Sequence, residues 1–372
     1  MKNARAALVH DWLTGRRGGE KVLEVLAEIF PDSPIYTLFH FPGSQEESLE
    51  KRNIQTSFLQ NLPFLKKHYR WYYPIFPVAA ELLNLQEYDF IISTSHCAAK
   101  GIIPAPEALH VSYIHSPMRY AWNQYHSYFS ANRLNFFTRF AIPPLVHWLR
   151  MWDAASASRV DWFIANSRAV SRRISRYYRR ESQIIHPPVD TRFFKPGVSD
   201  SSDYFLVVSA LVPYKRIDLA VAAFNRTGRK LKIVGTGPEY RKLKKSAKKN
   251  VHFLGEVSSQ DLLRIYQEAR ALVMPGEEDF GINVLESQAC GTPVIALGRG
   301  GALETVQPGK TGVLFSQPKA GELAAALDKF DRLTFNRDLL RNHALGYSRD
   351  SFKNKIRQFL QQKWKIFKER ND

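Results

Sequence analysis

Gly276-EEDFGINVLESQACGTPVIA-Leu297 decides how this chain is read, because Glu278 and Glu286 stand on either side of a glycine turn with seven residues between them. The apolar run before it, Ala271 to Pro275, reads as a buried strand, Gly276 to Gly281 as the turn leaving it, and Asn283 to Cys290 as a helix ended at Gly291. The first turn of a helix leaves amides unpaired and carries partial positive charge, so the backbone at Gly281, Ile282 and Asn283 suits a diphosphate. Glu286, about one turn inside, can reach outward and accept hydrogen bonds from both hydroxyls of a ribose, as acidic residues do in dinucleotide folds. Glu278 precedes the helix and would face a sugar. Such pairs also occur by chance in helical proteins, so the flanking residues have to decide.

The chain's 372 residues exceed what one hydrophobic core usually serves, which implies two domains, and its 44% hydrophobic and 13% aromatic content is ample for two cores. The cysteines, Cys97 and Cys290, are far apart and lack metal-ligand spacing, which points to a reducing compartment. The apolar run Ala6 to Val9 is interrupted by His10 and Asp11 and reads as a strand, so no signal peptide is expected. Phe136 to Leu149 is the most apolar helix candidate, but Arg139, Pro143 and Pro144 break it, and it falls short of the roughly 20 residues a spanning helix needs.

A formal net charge of +18 calls for an anionic partner: nucleic acid, an acidic membrane or a phosphorylated substrate. Positive charge gathers at Lys51-Arg52, Lys66 to Tyr73, Arg168 to Arg180 and Arg241 to Lys249. The second cluster mixes Lys66, Lys67 and Arg70 with Trp71 and Tyr72 and suits an anionic membrane surface. Its plainer reading is a solvated helix between Pro63 and Pro74. No RNA-reading module is visible, so no nucleic-acid partner is expected.

Two similar α/β halves follow. In the first, Ala6 to His10 reads as a strand, Gly15 to Gly19 as a glycine turn and Glu20 to Phe30 as an amphipathic helix; Asp89 to Ser95, Leu109 to Ser116 and Asp161 to Ser167 read as buried parallel strands. Ligands bind beyond the carboxyl ends of such strands, so His10, Ser93, His115 and Asn166 should converge. A Pro-, Ser- and Asp-rich stretch, 187–203, separates residues 1–186 from a second half, 204–346, whose strands begin at Tyr204, Lys230, Val251, Ala271 and Pro293. Residues 347–372 form a charged amphipathic helix.

Glu278, Phe280, Gly281, Glu286, Ala289, Gly291, Pro293 and Val294 fill the pattern of the retaining glycosyltransferases of family four, which this stretch resembles. Val208 to Asp218, Gly235 to Leu243, Val251 to Gly255, Gly298 to Val306 and Gly309 to Phe315 are similar to further elements of that family, in order. The resemblance implies a GT-B architecture, two Rossmann-like domains facing across a cleft, with the terminal helix crossing back to the first. Lys215 matches the family's diphosphate-gripping lysine. The arginine usually found about five residues earlier is missing, with Ser209-Ala210 in its place, and Arg216 is a possible substitute. Val9 to Glu24, Tyr113 to Trp122, Arg150 to Ser167 and Ile185 to Asp190 resemble the bacterial mannosyltransferases that build O-antigen and exopolysaccharide units.

From this resemblance follow a GDP-mannose donor, a lipid-linked saccharide acceptor and a place on the inner face of the cytoplasmic membrane. His115 matches the cleft histidine that touches the donor sugar. The base would meet the backbone near Gly255 and Val257, and Gly15, Gly18 and Gly19 would let backbone approach the phosphate or donor sugar. Asp11, Arg119 and Arg168 are acceptor-side candidates. The reaction needs positive charge at the departing phosphate and negative charge at the anomeric carbon. Lys215 with the helix amides supplies the first and Glu278 the second, with no metal or other cofactor expected. A UDP-hexose transferase, a non-catalytic nucleotide-binding module and a nucleic-acid-binding protein are the alternatives.

Overall fold

Short runs of β-branched, aromatic and other apolar residues set the strands. The computed structural model describes residues 4–129, 136–197 and 202–371. Its first strands are β1 (Ala6–His10), β2 (Ile35–Thr37), β3 (Ile54–Thr56), β4 (Phe90–Ser95), β5 (Leu109–Ile114), β6 (Trp162–Ala165) and β7 (Ser182–Ile184). Among the described residues they form a seven-stranded sheet, β3-β2-β1-β4-β5-β6-β7, with every neighbouring pair parallel. Then come β8 (Phe205–Val208), β9 (Leu231–Val234), β10 (Val251–Gly255), β11 (Ala271–Met274), β12 (Val294–Leu297) and β13 (Gly312–Phe315). These form a six-stranded parallel sheet, β10-β9-β8-β11-β12-β13. Strand order reverses between β1 and β4 in one sheet and between β8 and β11 in the other, and such switch points open a crevice beyond the strand ends.

The chain divides into Met1–Pro187 with Phe352–Asp372, and Pro188–Ser351. In the first unit β4 and β5 are buried at every position, because both faces of the sheet are covered. The last helix, Arg349–Asn371, sets Phe352, Ile356, Phe359, Leu360 and Phe367 into that unit's core, beside Leu8, Leu23 and Phe90. Each such side chain contributes about 1.5–3 kcal/mol on burial. Residues 188–197, expected as linker, pack within the second unit, where Val189 and Phe194 are buried; 198–201 of that stretch lie outside the described residues.

One expectation is corrected: the Phe136–Ser156 helix continues through Pro143 and Pro144 instead of ending there. The two prolines withhold amides from the carbonyls of Arg139 and Phe140, and both those residues are exposed, so water can take the vacant carbonyls. Among the described residues no helix is long and apolar enough to cross a membrane. Parts of two basic clusters serve the fold. Arg52 donates to the Ala27 and Phe30 carbonyls (2.8 and 2.6 Å) that end the Gly18–Ile29 helix, and Arg180 donates to those of Ala157 and Val160 (3.1 and 2.7 Å).

A buried ion pair ties the first unit's long helix to its sheet. Lys100 Nζ lies 3.1 Å from Asp153 Oδ1 and also donates to the Asp153 carbonyl (2.6 Å) and to Ser156 Oγ (2.5 Å). Trp122 Nε1 (2.7 Å) and the Tyr178 hydroxyl (2.9 Å) donate to Asp153 Oδ2. Burial pushes the Lys100 ammonium down, and Asp153 opposes that shift. Removing one partner strands the other charge, so Lys100→Met is expected to cost about 3–5 kcal/mol in equilibrium denaturation, and adding Asp153→Asn should restore most of the loss.

Candidate functional site

The β8 and β11 strand ends carry the stretch quoted at the outset. After Met274 the chain turns at Pro275-Gly276, and a β-carbon on Gly276 would stand 2.6 Å from the Lys215 carbonyl oxygen. Only glycine lets the two loops close to this distance. Lys215 ends a tight turn, Pro213–Lys215, and its ammonium pairs with Glu278 Oε1, both side chains being largely buried. From the other side the Gly301 amide donates to the Glu278 carbonyl (2.8 Å), and any side chain at Gly300 or Gly301 would strike the Glu278–Phe280 backbone. The run Gly298-Arg299-Gly300-Gly301 is thus the backing of the Glu278 loop.

Between these loops lies a small recess, open to solvent and lined by Val208, Ser209, Lys215, Met274, Gly276, Glu278 and Asn283 among others. The Ile282–Ala289 helix begins beside it after Gly281, whose φ is 80°, and no side chain caps that start. Asn283 Nδ2 donates to the Val208 carbonyl (2.9 Å), which fixes the helix start against β8. A recess with a cation, a carboxylate and an uncapped helix start can hold a diphosphate and the group attached to it.

Other second-unit candidates lie elsewhere. Glu286 does not reach outward: it is 4% exposed and accepts from the Tyr266 hydroxyl at 3.3 Å. Phe280 is a core side chain, packed with Val189 and Leu285, and Ile282 packs on the same group. Arg216, at a left-handed φ of 54°, turns its guanidinium to Asp218 with two 3.1 Å contacts, and it is not part of the recess lining. Gly255 ends the edge strand β10, with β9 between it and β8, and Val257 packs on the core.

In the first unit, His10, His115 and Asn166 converge as expected. Rings of His10 and His115 are 6.4 Å apart, and Asn166 Nδ2 donates to the His115 carbonyl (2.9 Å). Ser93 does not join them; its hydroxyl lies within the sheet, 2.9 Å from His110 Nε2 and 2.8 Å from Ser112 Oγ. His96, beside His10 at 6.2 Å, was not foreseen. Among the described residues no His, Cys, Asp or Glu group is arranged to hold a metal.

Gly18 starts the Gly18–Ile29 helix, Gly19 lies over His10 and His115, and Gly15 has open space where a side chain would stand. The Arg17 amide donates to Glu20 Oε2 (3.1 Å), and burial pushes the Glu20 carboxyl up to about 7. Asp11 is corrected from acceptor-side candidate to scaffold. It is fully buried, and its two oxygens accept the amides of His96, Cys97, Ala98 and Ala99 at 2.6–2.9 Å. Arg119 is half-buried with its charge felt at His96, and Arg168 is exposed at the start of the Arg168–Tyr178 helix. Lys66, Lys67, Arg70 and Trp71 are exposed, with Tyr72 half-buried.

Two family profiles divide the chain. Residues 17–193 match Glycosyltransferase Family 4, and residues 189–344 match Glycosyl transferases group 1. The D-inositol 3-phosphate glycosyltransferase of Mycobacterium bovis (strain BCG / Pasteur 1173P2) is 30% identical over 172 residues, 40% of this chain and 36% of that protein. The match therefore spans little more than a third of that curated relative. Sucrose-phosphate synthase from Thermosynechococcus elongatus superposes with a TM-score of 0.73 at 17% identity, over 97% of this chain and 100% of that one. Anabaena HepE, solved in complex with UDP and glucose, gives 0.70 at 16% identity over 96% and 100%. These likenesses are of fold: two parallel-sheet, Rossmann-like domains. By its fold the chain is similar to the GT-B glycosyltransferases, with residues 17–193 matching Glycosyltransferase Family 4 and residues 189–344 matching Glycosyl transferases group 1.

Proposed function

We propose that the chain transfers mannose from GDP-mannose, with retention, to a lipid-linked saccharide during bacterial surface-polysaccharide synthesis at the inner face of the cytoplasmic membrane. The observation that carries this reading is the Lys215–Glu278 pair beside the uncapped Ile282 helix start, at the switch point of the second sheet. Departure of a nucleoside diphosphate leaves negative charge on phosphate and positive charge on the anomeric carbon. A bound diphosphate draws the Lys215 ammonium toward itself, and Glu278, released from the pair, faces the sugar. Lys215 and the helix amides supply the positive charge in this reading, so no metal is needed. Glu286, buried against the Tyr266 hydroxyl in the ligand-free chain, would turn out from that contact to receive the ribose.

A UDP-hexose donor is the second reading, favoured by the UDP and glucose held by HepE. Thermal shifts with GDP- and UDP-sugars distinguish the two, since a ligand that binds only the folded state raises its melting temperature. Lys215, Glu278 and Glu286 are all present, which weighs against a cleft without turnover. A nucleic-acid-binding protein would instead show salt-sensitive RNA binding and no sugar-nucleotide binding.

The acceptor reading draws on the first unit's surface. Phe64 and Trp71 are 73% and 68% exposed, and Trp71 stacks on His68 at 4.0 Å. Lys66, Lys67 and Arg70 surround them, a combination of rings and cations that suits anionic lipid headgroups. The same chemistry supports reading the chain as a peripheral membrane protein.

Three outcomes are expected. Glu286→Ala should weaken GDP binding about tenfold in calorimetry with the fold intact; unchanged affinity for GDP and UDP would remove the ribose role. Glu278→Gln and His115→Ala should each lower kcat by about 100-fold while GDP affinity changes little, and EDTA should leave all rates unaltered. Reversing Lys66, Lys67 and Arg70 to Glu should reduce flotation with anionic vesicles, each cation being worth about 1 kcal/mol near the lipid, while GDP binding is spared. Flotation that survives the reversal at low ionic strength favours a merely solvated helix.

A further inference from the structure

His10 ends β1 at the switch point of the first sheet, with its side chain fully buried. Its Nδ1 lies 2.6 Å from Thr94 Oγ1, and that hydroxyl donates to the Val9 carbonyl at 3.3 Å. A hydroxyl has one proton. A proton directed at Val9 leaves the Thr94 oxygen to accept from His10; in that arrangement Nδ1 carries the ring proton and Nε2 presents a lone pair. Burial above all, reinforced by His96, lowers the ring's pKa to about 3, which keeps it neutral. Nε2 is buried without a hydrogen-bond partner among the described residues. Buried acceptors are nearly always satisfied, so this one lacks a donor that comes from elsewhere.

The surroundings show where a donor would enter. A β-carbon on Gly19 would stand 3.4 Å from His10 Cε1 and 3.4 Å from His115 Nε2, so the two imidazoles wall the place where residue 19 has no side chain. Gly19 and His115 are half-buried, and the fully buried His10 lies beneath the position a residue-19 side chain would take. A neutral lone pair rejects phosphate and carboxylate oxygens, which are themselves acceptors, and takes a hydrogen-bond donor, which on a simple hexose is an O–H group.

We propose that His10 is a substrate-binding residue whose Nε2 accepts a hydrogen bond from one sugar hydroxyl entering the gap beneath Gly19, and that it selects substrates by that hydroxyl. The inference rests on the sugar-transfer reading above and adds to it a specificity determinant in the first unit. The hydroxyl belongs to the donor sugar or to the acceptor saccharide; the chemistry of the bond is the same. Sites built around such a bond discriminate strongly against analogues lacking the hydroxyl, because the protein group is left buried and unpaired.

The test measures kcat/KM for donors deoxygenated in turn at each sugar hydroxyl, and for acceptors treated likewise, in the wild type and in His10→Phe, which keeps a ring but has no lone pair. One analogue should fall about tenfold or more in the wild type yet match its parent in the variant. Whether that analogue is a donor or an acceptor identifies the source. The ¹⁵N resonance of His10 Nε2 should also move when the parent sugar ligand binds. Should His10→Phe not fold, Thr94→Val serves in its place: it removes the partner that fixes the proton on Nδ1 and is expected to lose the same discrimination. A gap that holds only a buried water would give neither coupling nor a ligand-dependent resonance, and would overturn the proposal. Transfer from sugar nucleotides without any coupled hydroxyl overturns it while leaving the functional reading intact. Failure of the wild type to transfer from any sugar nucleotide overturns both.

Discussion

The close approach of the Gly276 turn to the Lys215 carbonyl is the constraint on which the rest of the second unit's site depends. Parallel strands β8 and β11 lie side by side, so the loops leaving them emerge together, and each must find partners for its own backbone. Gly276 lets the loops touch, and the Gly300-Gly301 pair supports the Glu278 loop from beneath. The Lys215–Glu278 ion pair then follows from backbone placement. Neither side chain has to search for the other.

Much of this was legible in the sequence because glycine, proline and charge act locally. The strand from Ala271, the turn at Gly276 and the helix ended at Gly291 lie where hydrophobic run, breaker and cap put them, since each is decided within a few residues. β2, β3 and β7 went unread because each is three residues long and held by sheet neighbours, which leaves too little of a period to detect. The Phe136–Ser156 helix shows the opposite failure: two prolines speak for a break, yet the helix continues, with the residues whose carbonyls they leave without an amide, Arg139 and Phe140, exposed. That exposure is a tertiary property.

Residue roles were harder to read than elements, for one recurring reason. A side chain's type announces a chemistry, but burial and partners decide whether it is used. Asp11 follows a strand in a conspicuous His-Asp-Trp run, and four converging amides turn it into an anchor for the loop after β4. Phe280 sits inside the motif and supports it from the core. Arg216 stands next to Lys215 in sequence, and its left-handed backbone turns it to Asp218. Gly276 and the Gly300-Gly301 pair, in contrast, carry no chemistry of their own and determine the shape of the site.

The missing arginine sharpens what the ion pair can do. With Ala210 where similar chains carry a second cation, Lys215 is the cation that lines the recess among the described residues, and in the ligand-free chain Glu278 already neutralises it. Two largely buried charges of opposite sign each lower the cost of keeping the other out of water. In the proposed function, a diphosphate entering the recess would exchange one anionic partner of Lys215 for another of higher charge, so little of its binding energy would go into desolvating the cation again. In that reading the same exchange frees the Glu278 carboxylate from its partner as positive charge develops on the sugar, which would couple donor binding to the charge the reaction requires.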